Sequence, residues 1–266
     1  MPTRRELLKG SAALPLAAVL ASPGLARAAS ESTRAVHLTL ADGTQVGGAL
    51  ALPEGKGRAG ILLIHEWWGL NDQIRAVAAE FARLGFVALA ADLYGGKSAT
   101  APDEARSLMQ AVDGDLATRT LVAWVDWLRG HDASSGKVAT IGWCFGGGWS
   151  LNASIATPVD ATVVYYGNVK KTAGDVGSLH GPVLGHYATE DQWIDARMVA
   201  GFEASMQEAG KTVTSHWYEA KHGFANPTTA RYDEADAALA WKRTMAFLDR
   251  ALDASASAGP GIASAA

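Results

Sequence analysis

The chain has 266 residues, of which 48% are apolar and 19% are charged, and its formal net charge is −4. This length and apolar content suffice to bury one large core, and the negative charge argues against nucleic acid or an anionic membrane surface as a partner. The single cysteine, Cys144, excludes an internal disulfide, so the stability of the fold must come from its core.

The amino-terminal segment carries an export pattern. Paired arginines within residues 3–9 precede an apolar stretch over residues 12–20, and Ala26-Arg27-Ala28 forms a small-x-small cleavage site. The apolar stretch is too short, and too interrupted by Pro and Gly, to predict a stable membrane anchor. The sequence therefore predicts a twin-arginine signal peptide over residues 1–28, the twin-arginine translocase as a partner during export, and a periplasmic location with cleavage near Ala28.

Residues 29–252 alternate predicted strands and helices, as expected of one domain. Predicted strands cover residues 36–40, 46–52, 61–64, 86–90, 138–141, 161–166, 182–186 and 213–218. Predicted helices follow Asn71 or Asp72 and cover residues 115–129 and 232–252. This order predicts an α/β fold, a mostly parallel central sheet with helices on both faces and reactive groups at the carboxyl ends of its strands. Residues 253–266 predict a disordered tail.

A cysteine between two glycines follows the predicted strand 138–141. Cys144 lies two residues after Gly142 and two before Gly146, where a helix is predicted to begin. This spacing is typical of a nucleophile elbow, with cysteine at the position that is serine in Gly-x-Ser-x-Gly sequences. The turn requires glycines because neighbouring backbone comes too close for side chains, and it directs helix N–H groups towards the space above the sulfur.

A candidate acid and a candidate base follow the elbow in the order that this turn requires. Asp191 and His222 each lie in a loop directly after a predicted strand. An imidazole beside the thiol would generate the reactive thiolate, and an aspartate would orient that imidazole. Glu190 and Asp195 lie close to Asp191, and either could be an N-cap of the helix that follows, so the identity of the acid stays open.

Five short segments of the chain carry a family resemblance. They are His-Glu-Trp-Trp-Gly at 65–69, Ala-Asp-Leu-Tyr at 91–94, Gly-Trp-Cys-Phe-Gly-Gly at 142–147, Tyr-Tyr-Gly at 165–167 and His-Gly-Phe at 222–224. With these segments, residues 36–248 resemble the dienelactone hydrolase family, a cysteine branch of the α/β-hydrolases. The resemblance implies cleavage of a small ester or lactone through a thioester on Cys144, with His222 and Asp191 completing a triad.

The resemblance also implies roles for residues near the third predicted strand. Glu66 would be a fourth catalytic group that accepts the thiol proton when substrate arrives, so that the resting cysteine stays neutral and resists oxidation. The backbone N–H groups of Trp67 and Phe145 would form the oxyanion hole. His65 is interpreted as structural.

Predictions about the substrate come from positions where the chain departs from the family. Family members that act on the butenolide acid resemble one another in two arginines that bind its carboxylate; here those positions are Gly96, followed by Lys97, and Asn226. A lysine does not reproduce the bidentate geometry of arginine. We therefore expect Lys97 and Asn226 beside the substrate, and neutral esters or lactones to compete well with an anionic one. Trp143 and Trp193 are candidates for an aromatic wall, with packing between loops as the alternative.

Two other classes of protein are compatible with parts of the pattern. Ser150 and Ser154 lie beyond the elbow, too late to be the nucleophile of a serine esterase. A non-catalytic periplasmic binding or thiol-sensing protein on the same fold would be favoured by loss of Asp191 or His222, but the chain has both. The remaining histidines have no metal-ligand spacing, so neither a metal nor a cofactor is predicted. The chain is expected to be a monomer.

Overall fold

The computed structural model describes residues 16–252, apart from the side chains at 17, 18, 21 and 23. The twin-arginine segment, residues 3–9, and the predicted tail, residues 253–266, lie outside the described residues. The strands are β1 (Arg34–Thr39), β2 (Gln45–Ala51), β3 (Gly60–Ile64), β4 (Val87–Asp92), β5 (Val138–Trp143), β6 (Ala161–Tyr165), β7 (Val183–Ala188) and β8 (Val213–Tyr218). The helices are α1 (Leu16–Ala21), α2 (Pro23–Ser30), α3 (Asp72–Arg83), α4 (Pro102–Gln110), α5 (Gly114–Gly130), α6 (Phe145–Ala156), α7 (Ala173–Val176), α8 (Ala196–Glu208) and α9 (Glu234–Leu252).

All eight of these strands form one sheet in the order β1-β2-β4-β3-β5-β6-β7-β8. The pairs β1–β2 and β2–β4 are antiparallel, and every other neighbouring pair is parallel. The α/β class and the mostly parallel sheet are therefore confirmed. In this register Ile64 of β3 pairs with Gly142 of β5, and Gly142 pairs with Val164 of β6. The carboxyl ends of these three central strands consequently meet at one edge of the sheet.

The longer helices cover the sheet with an apolar face, as α3 and α5 show. The buried positions of α3 include Ile74, Val77 and Phe81, and Asn71 caps its first turn by accepting a hydrogen bond from the N–H of Ile74. Buried positions of α5 recur at helical spacing: Leu121, Trp124, Val125 and Leu128. The central strands β3 and β5 are buried along their whole length, which fits a sheet covered on both faces.

Helices α1 and α2 pack against the domain. Leu20 and Ala26 are each only 6% exposed, and the Ser30 hydroxyl donates a hydrogen bond of 3.0 Å to Asp72 at the start of α3. The predicted cleavage site around Ala28 therefore lies inside a helix that contacts the folded domain. Within residues 16–252, none of the helices combines the length and the apolar character that a bilayer crossing requires.

Candidate active site

Cys144 lies in a sharp turn between β5 and α6. Its backbone has φ 55° and ψ −117°, a strained conformation for a residue other than glycine. A Cβ atom added at Gly142 would collide with the carbonyl of Gly146, and one added at Gly146 would collide with the carbonyl of Ile64 in β3. The two glycines are thus required by close backbone contacts, and the predicted elbow geometry is present.

The loops after β7 and β8 bring Asp191 and His222 to the sulfur. Nε2 of His222 lies 3.1 Å from Sγ of Cys144, and Nδ1 of the same ring lies 2.6 Å from Oδ2 of Asp191. The other oxygen of Asp191 accepts hydrogen bonds from the backbone N–H groups of Trp193 at 2.8 Å and Ile194 at 3.1 Å. The three side chains therefore form a continuous line, and Asp191 is held on both oxygens.

The two alternative acids are placed elsewhere. Asp195 caps α8 by accepting a hydrogen bond of 2.7 Å from the N–H of Met198. Glu190 is exposed, and its backbone N–H donates to the carbonyl of Ala220. Of the three acidic side chains near this loop, it is Asp191 that contacts His222.

The environment shifts the pKa values of both ends of this line. Burial raises the pKa of Asp191, but its hydrogen bonds with His222 and with two backbone N–H groups outweigh burial, so its pKa lies below the ordinary value. Burial, and then the negative charge of Glu66, raise the pKa of Cys144 to about 12, although the N–H of Phe145 and the charge of Arg231 oppose them. The resting sulfur is therefore a neutral thiol at neutral pH, with its S–H directed to Nε2 of His222.

Glu66 follows β3 and is 6% exposed. Its Oε1 accepts a hydrogen bond of 3.1 Å from the Tyr166 hydroxyl, and its Oε2 accepts one of 2.5 Å from the Asn226 amide. Burial raises the pKa of the Glu66 carboxyl, and these two hydrogen bonds only partly offset that effect. A raised pKa makes the Glu66 carboxylate a better proton acceptor than an exposed glutamate.

The peptide between Glu66 and Trp67 is fixed by His65. Nδ1 of His65 donates a hydrogen bond of 2.6 Å to the carbonyl of Glu66, and Nε2 accepts one of 3.2 Å from the N–H of Leu93. Burial lowers the pKa of His65, so the ring is neutral. Because a trans peptide points its C=O and N–H in opposite directions, fixing the carbonyl of Glu66 also fixes the N–H of Trp67.

A cavity of about 790 Å³ opens above Cys144. Its lining includes Glu66, Trp67, Trp68, Arg106, Cys144, Phe145, Trp149, Tyr166, Lys170, Lys171, Trp193, His222 and Arg231. No three His, Cys, Asp or Glu side chains within residues 16–252 are grouped as metal ligands. The space suits an organic molecule with several polar groups.

Of the four residues predicted to contact the substrate, Trp193 lines the cavity above Cys144, and the other three do not. Trp193 lines the cavity, is 60% exposed, and has its ring 5.0 Å from that of His222. Asn226 is 1% exposed and holds Glu66 instead of facing the cavity. Trp143 lines a second, smaller cavity of about 150 Å³ together with Leu16 and Leu20. Lys97 is exposed and does not line either cavity.

Several residues of the site escaped sequence reasoning. Tyr166 directs its hydroxyl to Glu66, and its φ of 36° is in the left-handed region. Arg106 belongs to α4, a helix that the sequence pattern did not predict, and Arg231 lies in the long loop before α9. The Tyr-Tyr-Gly segment was a usable signal for Tyr166, whereas nothing in the local pattern marked the two arginines.

Comparisons with known proteins show the family to which the chain is similar. The sequence model of the dienelactone hydrolase family matches residues 46–252. The carboxymethylenebutenolidase of Pseudomonas putida is 29% identical over 231 residues, which make up 81% of this chain and 96% of that protein. The protein usf of Aquifex pyrophilus is 33% identical over 217 residues, or 77% of this chain and 94% of that protein.

Solved structures show the same fold. A dienelactone hydrolase-like promiscuous phosphotriesterase from metagenomic libraries superposes with a TM-score of 0.73 and 26% identity, over 83% of this chain and 99% of that one. The family match covers most of the chain, and the fold agrees with it. The chain therefore belongs to the dienelactone hydrolase family of the α/β-hydrolases.

Proposed function

We propose that this protein hydrolyses carboxylic esters or lactones through a thioester on Cys144, with His222 as proton carrier and Asp191 as the group that orients it. The class of reaction, ester or lactone hydrolysis, follows from membership of the family. The observation that supports the specific mechanism is the line from Sγ through the imidazole to the carboxylate, with separations of 3.1 Å and 2.6 Å.

The acylation step moves one proton and exchanges one bond. Cys144 gives its proton to Glu66, which passes it on to Nε2 of His222, and the sulfur forms a bond to the carbonyl carbon of the substrate. The oxygen of that carbonyl becomes negative and accepts hydrogen bonds from the N–H groups of Trp67 and Phe145. The carbon–oxygen bond to the alcohol part then breaks, and the departing oxygen takes a proton from His222.

The deacylation step restores the thiol. Water attacks the thioester carbon and gives a proton to His222. The carbon–sulfur bond then breaks, and the sulfur takes that proton from His222. The net change is ester plus water to acid plus alcohol, without an oxidant or a cofactor.

Glu66 is proposed as the first acceptor of the thiol proton. Its charge is one of the causes that raise the pKa of Cys144, so the carboxylate is close enough for electrostatic coupling to the sulfur. The raised pKa of Glu66 itself makes the protonated carboxyl accessible once the thiol has given up its proton. Tyr166 and Asn226 would keep the carboxyl oriented during this transfer.

The mechanism is tested by two substitutions and a matched control. Cys144→Ala removes the nucleophile, so hydrolysis of para-nitrophenyl acetate should fall to the background rate while the protein stays folded. Asp191→Asn presents the wrong imidazole tautomer and should lower kcat by about 10³- to 10⁴-fold. Asp195→Asn changes the same chemistry at a helix cap, where asparagine serves equally well, and should leave kcat unchanged.

The outcomes separate this mechanism from the alternatives. Wild-type-like turnover by the Cys144→Ala protein would exclude a cysteine nucleophile. A larger loss of kcat in Asp195→Asn than in Asp191→Asn would mean that the acid is misassigned. Failure of the wild type to hydrolyse any ester or lactone would favour the binding or thiol-sensing protein.

We also propose that the protein is exported to the periplasm by the twin-arginine route. The support is the paired arginines, the short apolar stretch and the Ala-Arg-Ala sequence at residues 26–28. Replacing both Arg4 and Arg5 with lysine should retain the protein in the cytoplasm, as measured by cell fractionation. Equal periplasmic amounts of both forms would contradict the proposal.

A further inference from the structure

The charge of the active-site cavity differs from that of the whole molecule. Among the described residues that line the cavity, four are basic, Arg106, Lys170, Lys171 and Arg231, and one is acidic, Glu66. The full chain nevertheless has a net charge of −4. A basic cavity with apolar walls inside an acidic protein concentrates anions, because the surrounding low dielectric focuses the field.

Arg231 lies near the two side chains assigned to the reaction, Cys144 and His222. Its guanidinium carbon lies 5.8 Å from the centre of the Trp193 ring, which in turn lies 5.0 Å from the ring of His222. A Cβ added to Gly223, the residue after His222, would lie 3.9 Å from both Nε and Nη2 of Arg231. The charge of Arg231 also lowers the pKa values of Cys144 and Glu66. The guanidinium therefore flanks His222.

Among the described residues, the guanidinium of Arg231 has no anionic partner. Within residues 16–252, no carboxylate lies within ion-pair distance of it, and its N–H groups donate no hydrogen bond to the protein. Some other arginines among the described residues have an ion pair, as Arg83 has with Glu80 at 2.7 Å. A half-buried guanidinium with five unused donors beside a catalytic histidine is suited to a planar anion from outside the protein.

We propose that Arg231 binds a carboxylate on the alcohol part of the substrate and so makes the enzyme selective for anionic esters or lactones. This inference rests on the proposed function. In that mechanism His222 gives its proton to the departing oxygen, so the alcohol part lies on the side of His222. Arg231 flanks that side, and it would meet a carboxylate attached there.

This inference reverses the expectation that neutral substrates compete well. That expectation followed from the absence of arginine at positions 96 and 226. Arg231 supplies a bidentate donor from a third position, eight residues beyond Gly223. Arg106, Lys170 and Lys171 add attraction at longer range without a fixed contact.

Two pairs of synthetic esters test the proposal. The first pair is the acetyl ester of para-hydroxyphenylacetate and that of the corresponding amide, which differ only in a charge on the alcohol part. The second pair is phenyl hydrogen adipate and its amide, which differ in a charge on the acyl part. The readout is the ratio of kcat/KM for the anion to that for the amide within each pair.

The ratio for the first pair should depend on Arg231. In Arg231→Gln it should fall by about 10- to 100-fold, the range expected for losing a charge-assisted hydrogen bond. Arg231→Lys keeps the charge and loses the fork, so its ratio should lie between those of the wild type and Arg231→Gln. Arg197→Gln removes an equal charge from the exposed face of α8 and should leave the ratio unchanged. The ratio for the second pair should change by less than about threefold.

Each outcome supports or overturns one part of the proposal. An equal ratio in the wild type and Arg231→Gln, with both esters of the first pair hydrolysed, would overturn the role of Arg231 and leave the hydrolase mechanism standing. If Arg231→Gln lowers the kcat/KM ratio equally for both pairs, the contact of Arg231 is not specific to a carboxylate on the alcohol part. No hydrolysis of any of the four esters by the wild type would overturn the hydrolase mechanism first. If Arg231→Gln does not fold, an unchanged ratio in Arg231→Lys overturns the proposed bidentate contact of the guanidinium with the carboxylate.

Discussion

The protonation state of Cys144 depends on two neighbours with opposite roles. His222 accepts a hydrogen bond from the thiol, whereas the charge of Glu66 adds to burial in raising the pKa of the thiol to about 12. A raised pKa means that the thiolate is the minor form throughout the physiological pH range. The resting enzyme is therefore poorly reactive towards electrophiles that lack the contacts of a substrate.

This charge state predicts how alkylation by iodoacetamide varies with pH. Below the pKa of a thiol the thiolate fraction rises about tenfold per pH unit, so the alkylation rate should rise without a plateau between about pH 6 and pH 10. In Glu66→Gln a neighbouring negative charge is lost, the pKa of Cys144 falls, and alkylation at pH 8 should be faster while kcat is lower. Glu190→Gln, at an exposed site, is the control. A plateau near pH 8 in the wild type would contradict a raised pKa.

His65 offers a second test at the level of a single side chain. Its hydrogen bonds hold the peptide that carries the N–H of Trp67. His65→Ala frees this peptide, so kcat should fall by about 10²-fold, as on loss of an oxyanion donor, while KM changes little. His180→Ala, at an exposed position, should change neither constant. A change confined to KM would mean that His65 acts on substrate binding and not on the oxyanion.

The sequence predicts the three side chains of the proposed triad better than the side chains around them. Cys144, Asp191 and His222 could be predicted because each follows a strand, and parallel strands end at one edge of a sheet. The direction of Asn226 could not, because it depends on how the loop after Gly223 (φ 83°) turns back onto Glu66. The position of Arg231 beside His222 depends on the path of that same loop, so the sequence does not predict it.

At the level of elements, strongly periodic segments were predicted and polar ones were not. The range of β8 agrees with its prediction at both ends, and α5 differs by one residue at each end. Helix α4 has a single buried residue, Ala105, so it lacks the apolar stripe on which prediction depends. Arg106 lies on α4, so the sequence pattern does not place this basic residue beside the cavity.

Two glycine-to-alanine substitutions in helices are expected to have opposite effects on stability, because α6 packs closely on β3 at Gly146 and α8 is open at Gly201. Gly146→Ala places a methyl group against the carbonyls of Ile64 and His65, so it should lower the free energy of unfolding by more than about 2 kcal/mol and reduce activity. Gly201→Ala lies in the exposed interior of α8 with open space around it, and should raise stability by about 0.5–1 kcal/mol. Urea denaturation measures both. Equal stability of the two variants would contradict the close contact at Gly146.

For the molecule as a whole, the first helices make part of the core. Leu20 and Ala26 are buried against the domain, so a protein that begins at residue 29 loses their apolar contacts. We expect its free energy of unfolding to be about 2–4 kcal/mol below that of the full chain, from the apolar area exposed. Urea denaturation of the two forms checks this. Identical midpoints and slopes would mean that residues 16–28 do not pack on the domain in solution.

The basic lining of the cavity also affects release of the reaction product. Hydrolysis of a lactone converts a neutral ester linkage into an acid that ionises at neutral pH. Because the opened ring stays one molecule, this product carries one more negative charge than the substrate. The side chains that attract an anionic substrate, Arg231 among them, therefore retain the product more strongly. For a lactone substrate we therefore expect departure of this acid to be the slow event of each turnover. Added salt then speeds the cycle at saturating substrate and slows it when substrate is scarce.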